Sequence, residues 1–210
     1  MKEAIILCGG RNLRMQGYSK LPKGLLPYKG KALIDRQVAH LEKHGYERII
    51  LACGYKWQMF KDHFRKNKQI ILSIERKKLG TSGALKQAMK KMQNEQCLVL
   101  NGDDLMSGLG VKDLDIGELE RIGPNLIVVV PLRSPYGIVE FCNGNIKSFK
   151  EKPILPYWIN AGWYLLKKDI PLVEKGDLER EVFPAIGMKA YKYEGPWRTF
   201  NNVKDFEENS

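Results

Sequence analysis

Across residues 3–101, apolar runs of strand length alternate with segments of helical period, and this alternation restricts the fold more than any other feature. Glu3–Cys8, Arg48–Cys53, Ile70–Glu75 and Gln96–Asn101 read as strands. Between them, Ala32–His44 sets Leu33, Ile34, Val38 and Leu41 on one helical face, Trp57–Phe64 predicts a short helix, and Thr81–Met92 a third. Strands linked through helices pair in parallel, and a parallel sheet needs helices on both faces. The chain is therefore expected to be α/β, with three layers around a mainly parallel central sheet.

The second half changes character and makes that sheet mixed. Leu126–Leu132, Tyr136–Cys142 and Asn145–Phe149 read as strands, the last two joined by a tight Asn143-Gly144 turn. Ile159–Leu166 is a further strand, Leu178–Ile186 a helix despite Pro184, Ala190–Glu194 a strand and Val203–Glu208 a short closing helix. No Ser- or Gly-rich linker separates the halves. One domain over 1–210 is expected, with a nucleotide-binding lobe at 1–110 and a substrate lobe at 111–210.

Composition narrows the class. A hydrophobic fraction of 43% fits a globular chain. The longest apolar run, Leu126–Leu132, is too short to span a bilayer, and the N-terminal one is too short for a signal peptide, so a cytoplasmic protein without membrane partners is expected. The net charge of +11 calls for an anionic partner or for solvated helix faces carrying residues such as Lys86, Lys90 and Lys91. No recognised nucleic-acid motif accompanies it, so nucleic acid ranks last among partners. The four cysteines form no CxxC pair and read as buried or half-buried free thiols. His40 and His44 lack a third ligand and read as a solvated helix face.

Three segments at strand ends carry candidate chemistry. Gly9 and Gly10 directly follow the first strand, where their backbone N–H groups can approach phosphate oxygens; Arg14 and Lys23 add positive charge. Gly80-Thr81-Ser82-Gly83 opens the third helix, with Thr81 a candidate N-cap and small residues that let a planar base lie against backbone. Asn101-Gly102-Asp103-Asp104 ends the fourth strand; a carboxylate fixed there suits Mg²⁺, and Gly102 leaves room for phosphates. Asp104 reads as a turn or helix-entry residue.

Together these segments resemble the sugar-1-phosphate nucleotidyltransferases, or NDP-sugar pyrophosphorylases, including their mannose-1-phosphate guanylyl- and glucose-1-phosphate nucleotidyltransferase branches. The family's loop reads Gly-Gly-x-Gly-Thr/Ser-Arg-Leu/Met, then Pro-Lys; here Gly9, Gly10, Arg14, Met15, Pro22, Lys23 and Pro27 match, while Asn12 and Leu13 depart. Leu79–Leu85 resembles the family's LGTAGAL element, which lies along the base and points to a purine. Asp103 matches the metal-binding Asp of its NGD element. Tyr136-Gly137, Phe149–Pro153 and Asn160–Tyr164 are similar to its YG, FxEKP and NAGxY elements. The family's closing W-x-D-x-G-T supplies a second metal ligand; here Thr199 stands at that Asp, and Asn201 two residues on is a candidate carbonyl donor.

The resemblance implies a Rossmann-like nucleotide-diphospho-sugar transferase fold without a C-terminal β-helix domain. It implies an enzyme that joins an NTP to a sugar 1-phosphate, giving an NDP-sugar and pyrophosphate, with Mg²⁺ as cofactor and guanylyl transfer favoured. Arg14, Lys23 and Asp103 are then the catalytic residues. Leu7, Cys8, Gly9, Gly10, Gly80, Thr81 and Gly102 bind nucleotide; Gly137, Glu151, Lys152 and Asn160 bind sugar phosphate; Asp103 and Asn201 hold metal. A homodimer is a candidate assembly. The alternatives are a cytidylyl- or uridylyltransferase on another sugar or polyol phosphate, and a non-catalytic nucleotide-sugar-binding protein motivated by Asn12 and Thr199.

Overall fold

The computed structural model describes residues 1–11, 19–106 and 113–207. Thirteen strands are formed among them: β1 (Lys2–Leu7), β2 (Pro27–Tyr28), β3 (Lys31–Ala32), β4 (Tyr46–Cys53), β5 (Ile70–Ile74), β6 (Gln96–Asn101), β7 (Asp104–Leu105), β8 (Leu126–Arg133), β9 (Ile138–Cys142), β10 (Asn145–Lys150), β11 (Ile154–Lys167), β12 (Lys189–Lys192) and β13 (Arg198–Thr199). The α-helices are α1 (Leu33–Lys43), α2 (Trp57–His63), α3 (Gly80–Met89), α4 (Ile116–Ile122) and α5 (Val203–Glu207).

Seven strands make the central sheet, in the order β12-β8-β11-β6-β1-β4-β5. All its neighbouring pairs are parallel except the two that β11 makes, with β6 and with β8. From β1 the chain winds outward through β4 to β5, then returns to lay β6 on the other side of β1. That reversal leaves a crevice beyond the carboxyl ends of β1 and β6, where ligands of open α/β sheets bind.

Strand alternation explains the three layers. Ala4 and Ile6 of β1 and Leu98 and Leu100 of β6 join Ile34, Val38 and Leu41 of α1, Phe60 of α2 and Ile116 and Leu119 of α4 in one buried cluster. Ile5 and Val99, pointing the opposite way, pack with Leu85, Ala88 and Met89 of α3 and with Leu178 and Val182. The fold class is the α/β, mainly parallel, mixed-sheet architecture expected.

Several local expectations are corrected. Leu178–Ile186 is not one helix: a π-helical turn at Leu178–Val182 passes into a 3₁₀ turn at Phe183–Ala185, where Pro184 lacks the N–H a continuing helix needs. The third helix starts at Gly80, and Thr81 does not cap it. Its first turn is held from outside, with Ser82 N donating to Gly176 O at 2.9 Å and Thr81 Oγ1 accepting from Leu178 N at 2.9 Å. Gly80, at φ +77°, permits that docking: a Cβ there would lie 2.3 Å from Gly176 O. His40 is buried at 4% exposure against the His44 and Trp163 rings, not solvated. Burial, then the neighbouring His44, lowers its pKa to about 4. Cys142 is exposed, unlike Cys53 and Cys97.

Candidate functional site

A cavity of about 880 Å³ opens at the crevice beyond β1 and β6. Leu7, Cys8, Gly9 and Gly10 form one wall, continuing β1 into its loop. Gly80, Thr81 and Ala84 of α3 form a second, and Asn101, Gly102 and Asp103 after β6 a third, with Lys23 and Asn201 also on the lining. Packing holds the walls together: Cys8 N donates to Ala52 O, Gly102 N to Leu7 O and Tyr55 N to Gly9 O, at 2.9, 2.9 and 3.1 Å. The fold thus converges residues that lie up to 194 positions apart.

Lys23 and Asp103 meet inside this cavity. Lys23 begins a 3₁₀ turn (Lys23–Leu25) entered from extended Pro22, and its Nζ lies 2.7 Å from Asp103 Oδ2. Both side chains are about a quarter exposed or less, at 22% and 23%, so the pair is partly shielded but reachable by a ligand. Arg11, Arg76, Lys77 and Lys78 add positive charge to the lining. Nothing in the sequence patterns singled out these four, because consecutive lysines and arginines read as solvated loop.

Asp104 differs from its expected role as a turn or helix-entry residue. It belongs to β7, is 6% exposed, and pairs with Thr199 across the β7–β13 ladder. Asn101 Nδ2 donates to its Oδ2 at 3.1 Å. Burial, then the charge of Asp103, raises its carboxyl pKa to about 7, against the hydrogen bonds from Thr199 and Asn101. Backbone around it is tied as well: the Gln37 amide of α1 donates to Asn101 O at 2.7 Å and to Asp104 O at 3.0 Å, and Trp163 Nε1 donates to Asp104 O at 3.1 Å.

Glu75 is a further lining residue that sequence patterns missed. It follows β5, its Oε1 accepts from Leu79 N at 2.7 Å, and its Oε2 lies beside Gly9. Asp177 and Glu179 face the same cavity.

The expected sugar-phosphate residues are not part of this lining. Gly137 and Glu151 are close: a Cβ on Gly137 would lie 2.9 Å from Glu151 Oε2. Glu151 and Lys152 are both exposed. Asn160 spends its amide internally, with Nδ2 donating to Tyr164 OH at 2.6 Å and Oδ1 accepting from Gly162 N at 2.8 Å. These bonds use one of the amide's two N–H donors and one of its two acceptor lone pairs, and fix its orientation. Arg14 lies outside the described residues, as do Asn12, Leu13 and Met15.

Among the described residues, no group of three His, Cys, Asp or Glu converges as a metal site. Asp103 and Asn201 on the lining offer hard oxygen donors, a carboxylate and an amide. Such a sparse set suits Mg²⁺, which keeps waters and takes one or two carboxylates plus substrate phosphates. No helix among the described residues is long and apolar enough to cross a membrane.

A doubly wound sheet with glycine loop, basic rim and strand-end carboxylate around one crevice defines a nucleotide-binding α/β protein built for phosphate chemistry. The family of nucleotidyl transferases matches residues 3–182, and the chain belongs to it. It is 34% identical over 177 residues to the D-glycero-alpha-D-manno-heptose 1-phosphate guanylyltransferase of Campylobacter jejuni, covering 80% of this chain and 77% of that one. The protein of the same description from Aneurinibacillus thermoaerophilus is 31% identical over 190 residues, covering 85% and 82%. The crystal structure of HddC from Yersinia pseudotuberculosis complexed with GMP-PN is similar, with a TM-score of 0.77, 26% identity, and coverage of 100% of this chain and 98% of that one.

Proposed function

We propose that this enzyme transfers a guanylyl group from GTP to a sugar 1-phosphate, giving a GDP-sugar and pyrophosphate. The observation that carries this reading is the Lys23–Asp103 pair facing the Gly9–Gly10 loop across one cavity. A phosphate oxygen of the sugar 1-phosphate attacks the α-phosphorus of the nucleotide. The bond from that phosphorus to the bridging oxygen breaks, and pyrophosphate leaves with the electron pair. No enzyme nucleophile is needed, so the protein contributes position and charge.

In this reading Gly9, Gly10 and Gly102 give phosphates close backbone approach, and Lys23 swings from Asp103 onto a phosphate oxygen. Arg14 adds a second cation. Asp103, with Asn201, would hold Mg²⁺, which would supply charge to neutralise the phosphates. Glu151 and Lys152 serve the sugar phosphate from outside the nucleotide cavity.

Two points favour guanine. The relatives cited above are guanylyltransferases by name. Glu75 also places a carboxylate on the cavity lining, and a carboxylate accepts well from the N1–H and N2–H₂ donors of guanine. The test is pyrophosphate release with each of the common NTPs against a panel of sugar 1-phosphates and polyol phosphates. GTP with an aldose 1-phosphate should turn over fastest. CTP or UTP with a polyol phosphate turning over faster would replace this reading with a cytidylyl- or uridylyltransferase.

A further inference from the structure

Asp104 follows Asp103 in the chain but does not line the cavity. Its side chain lies against Gly162, whose φ is +77° and where a Cβ would sit 2.0 Å from Asp104 Oδ2. A carboxylate this buried is costly unless it is hydrogen-bonded. Asn101 supplies one donor and the Thr199 hydroxyl another.

Thr199 then passes the constraint on. Its Oγ1 lies 2.8 Å from Asn201 Nδ2. A hydroxyl carries a single proton. Here that oxygen accepts from Asn201 Nδ2, so the amide NH₂ faces Thr199. The amide oxygen is left as the polar atom that Asn201 can offer the cavity it lines. Backbone of the same turn is already tied: Phe200 N donates to Asp103 O at 3.0 Å and Asn201 N donates to Asp205 Oδ2. The flip of the amide is therefore what Thr199 decides. A flipped amide would offer the cavity a donor, which repels a cation.

We propose that Asp104 and Thr199 are positioning residues that hold the Asn201 amide with its oxygen toward the cation site at Asp103. The chain runs from Asp104 across the ladder to Thr199 and on to Asn201, and it leaves the amide oxygen as a fixed, neutral donor for the cavity. This inference rests on the reading of the cavity as a divalent-cation-assisted nucleotidyl-transfer site. Partners behind a metal ligand typically matter by 10–100-fold in metal affinity.

The experiment measures Mn²⁺ affinity directly, by electron paramagnetic resonance, on the whole protein with a non-hydrolysable GTP analogue. Wild type, Thr199→Ser, Thr199→Val, Asn201→Ala, Asp104→Asn and Asp103→Ala are compared, each with its thermal unfolding midpoint. Thr199→Ser keeps the hydroxyl and should bind Mn²⁺ like wild type. Thr199→Val and Asn201→Ala should both weaken binding by about tenfold or more, with Thr199→Val unfolding within a few degrees of wild type. Asp104→Asn has one oxygen for two donors and should weaken binding in the same direction. The inference is overturned if Thr199→Val binds Mn²⁺ like wild type, or if Thr199→Ser is as weak as Thr199→Val. Those failures leave Asp103→Ala deficient, and so leave the cation site intact. Unchanged binding in Asp103→Ala removes the cation site itself, and this inference with it.

Discussion

Replacing Glu75 by Gln probes base choice with almost no change in shape. The wild-type carboxylate divides its work: Oε1 accepts from Leu79 N at 2.7 Å, and Oε2 is left beside Gly9 at the cavity. Gln can still serve Leu79 with its one oxygen, which fixes the NH₂ on the cavity side. Guanine donors would then meet a donor instead of an acceptor. A hydrogen bond to a charged group contributes about 1.5–3 kcal/mol, and an unsatisfied donor costs about 1–3 kcal/mol more. Glu75 is half-buried, so the lower ends apply, together about 2.5 kcal/mol or roughly sixtyfold. The assay is kcat/KM for GTP, ATP and UTP at saturating sugar phosphate, read as pyrophosphate release. GTP should fall by about that factor while ATP and UTP change little. An equal fall for all three nucleotides, or none for GTP, would refute the assignment of Glu75 to the base.

Three other outcomes are expected. Gly162→Ala should destabilise by about 3 kcal/mol or more, because a left-handed backbone at φ +77° is strained with a side chain and the new methyl overlaps Asp104; a urea midpoint equal to wild type would contradict this. His40, at a pKa of about 4 folded against 6.5 unfolded, binds its proton more readily in the unfolded chain. Stability should therefore be full above pH 6.5 and fall as pH drops toward 4, by at most roughly 3 kcal/mol from this group, and His40→Gln should flatten that limb in urea titrations. Lys23→Met should lower kcat by about a hundredfold through loss of a preorganised charge, while circular dichroism shows an unchanged fold.

The residues explain what could be read in advance. β1 and β6 are buried on both faces, so Ala4–Leu7 and Cys97–Leu100 appear as unbroken apolar runs, and the helices between them carry their period openly. Lys23 and Asp103 were legible as parts of two motifs, though their 2.7 Å contact spans 80 positions. Asp104 was not, because its partner Thr199 comes from a two-residue strand at the far end of the chain. Glu75 looked like an ordinary strand end, since only the fold brings it to Gly9. α4 was missed as a short helix whose start depends on one Asp115 side chain accepting from Gly117 N. Asn160 shows the converse: its motif was visible, but the use of its amide by Tyr164 and Gly162 belongs to an irregularity in β11 between Asn160 and Tyr164.

The most direct measurement is phosphorus NMR of GTP, a sugar 1-phosphate and Mg²⁺ incubated with wild type and with Asp103→Ala. The account predicts that wild type yields pyrophosphate and a sugar-linked diphosphate in equal amounts, and that Asp103→Ala, folded as judged by circular dichroism, yields neither at a comparable rate. Binding of a GDP-sugar by wild type with no pyrophosphate formed would make the protein a nucleotide-sugar binder. Undiminished pyrophosphate formation by Asp103→Ala would contradict the site.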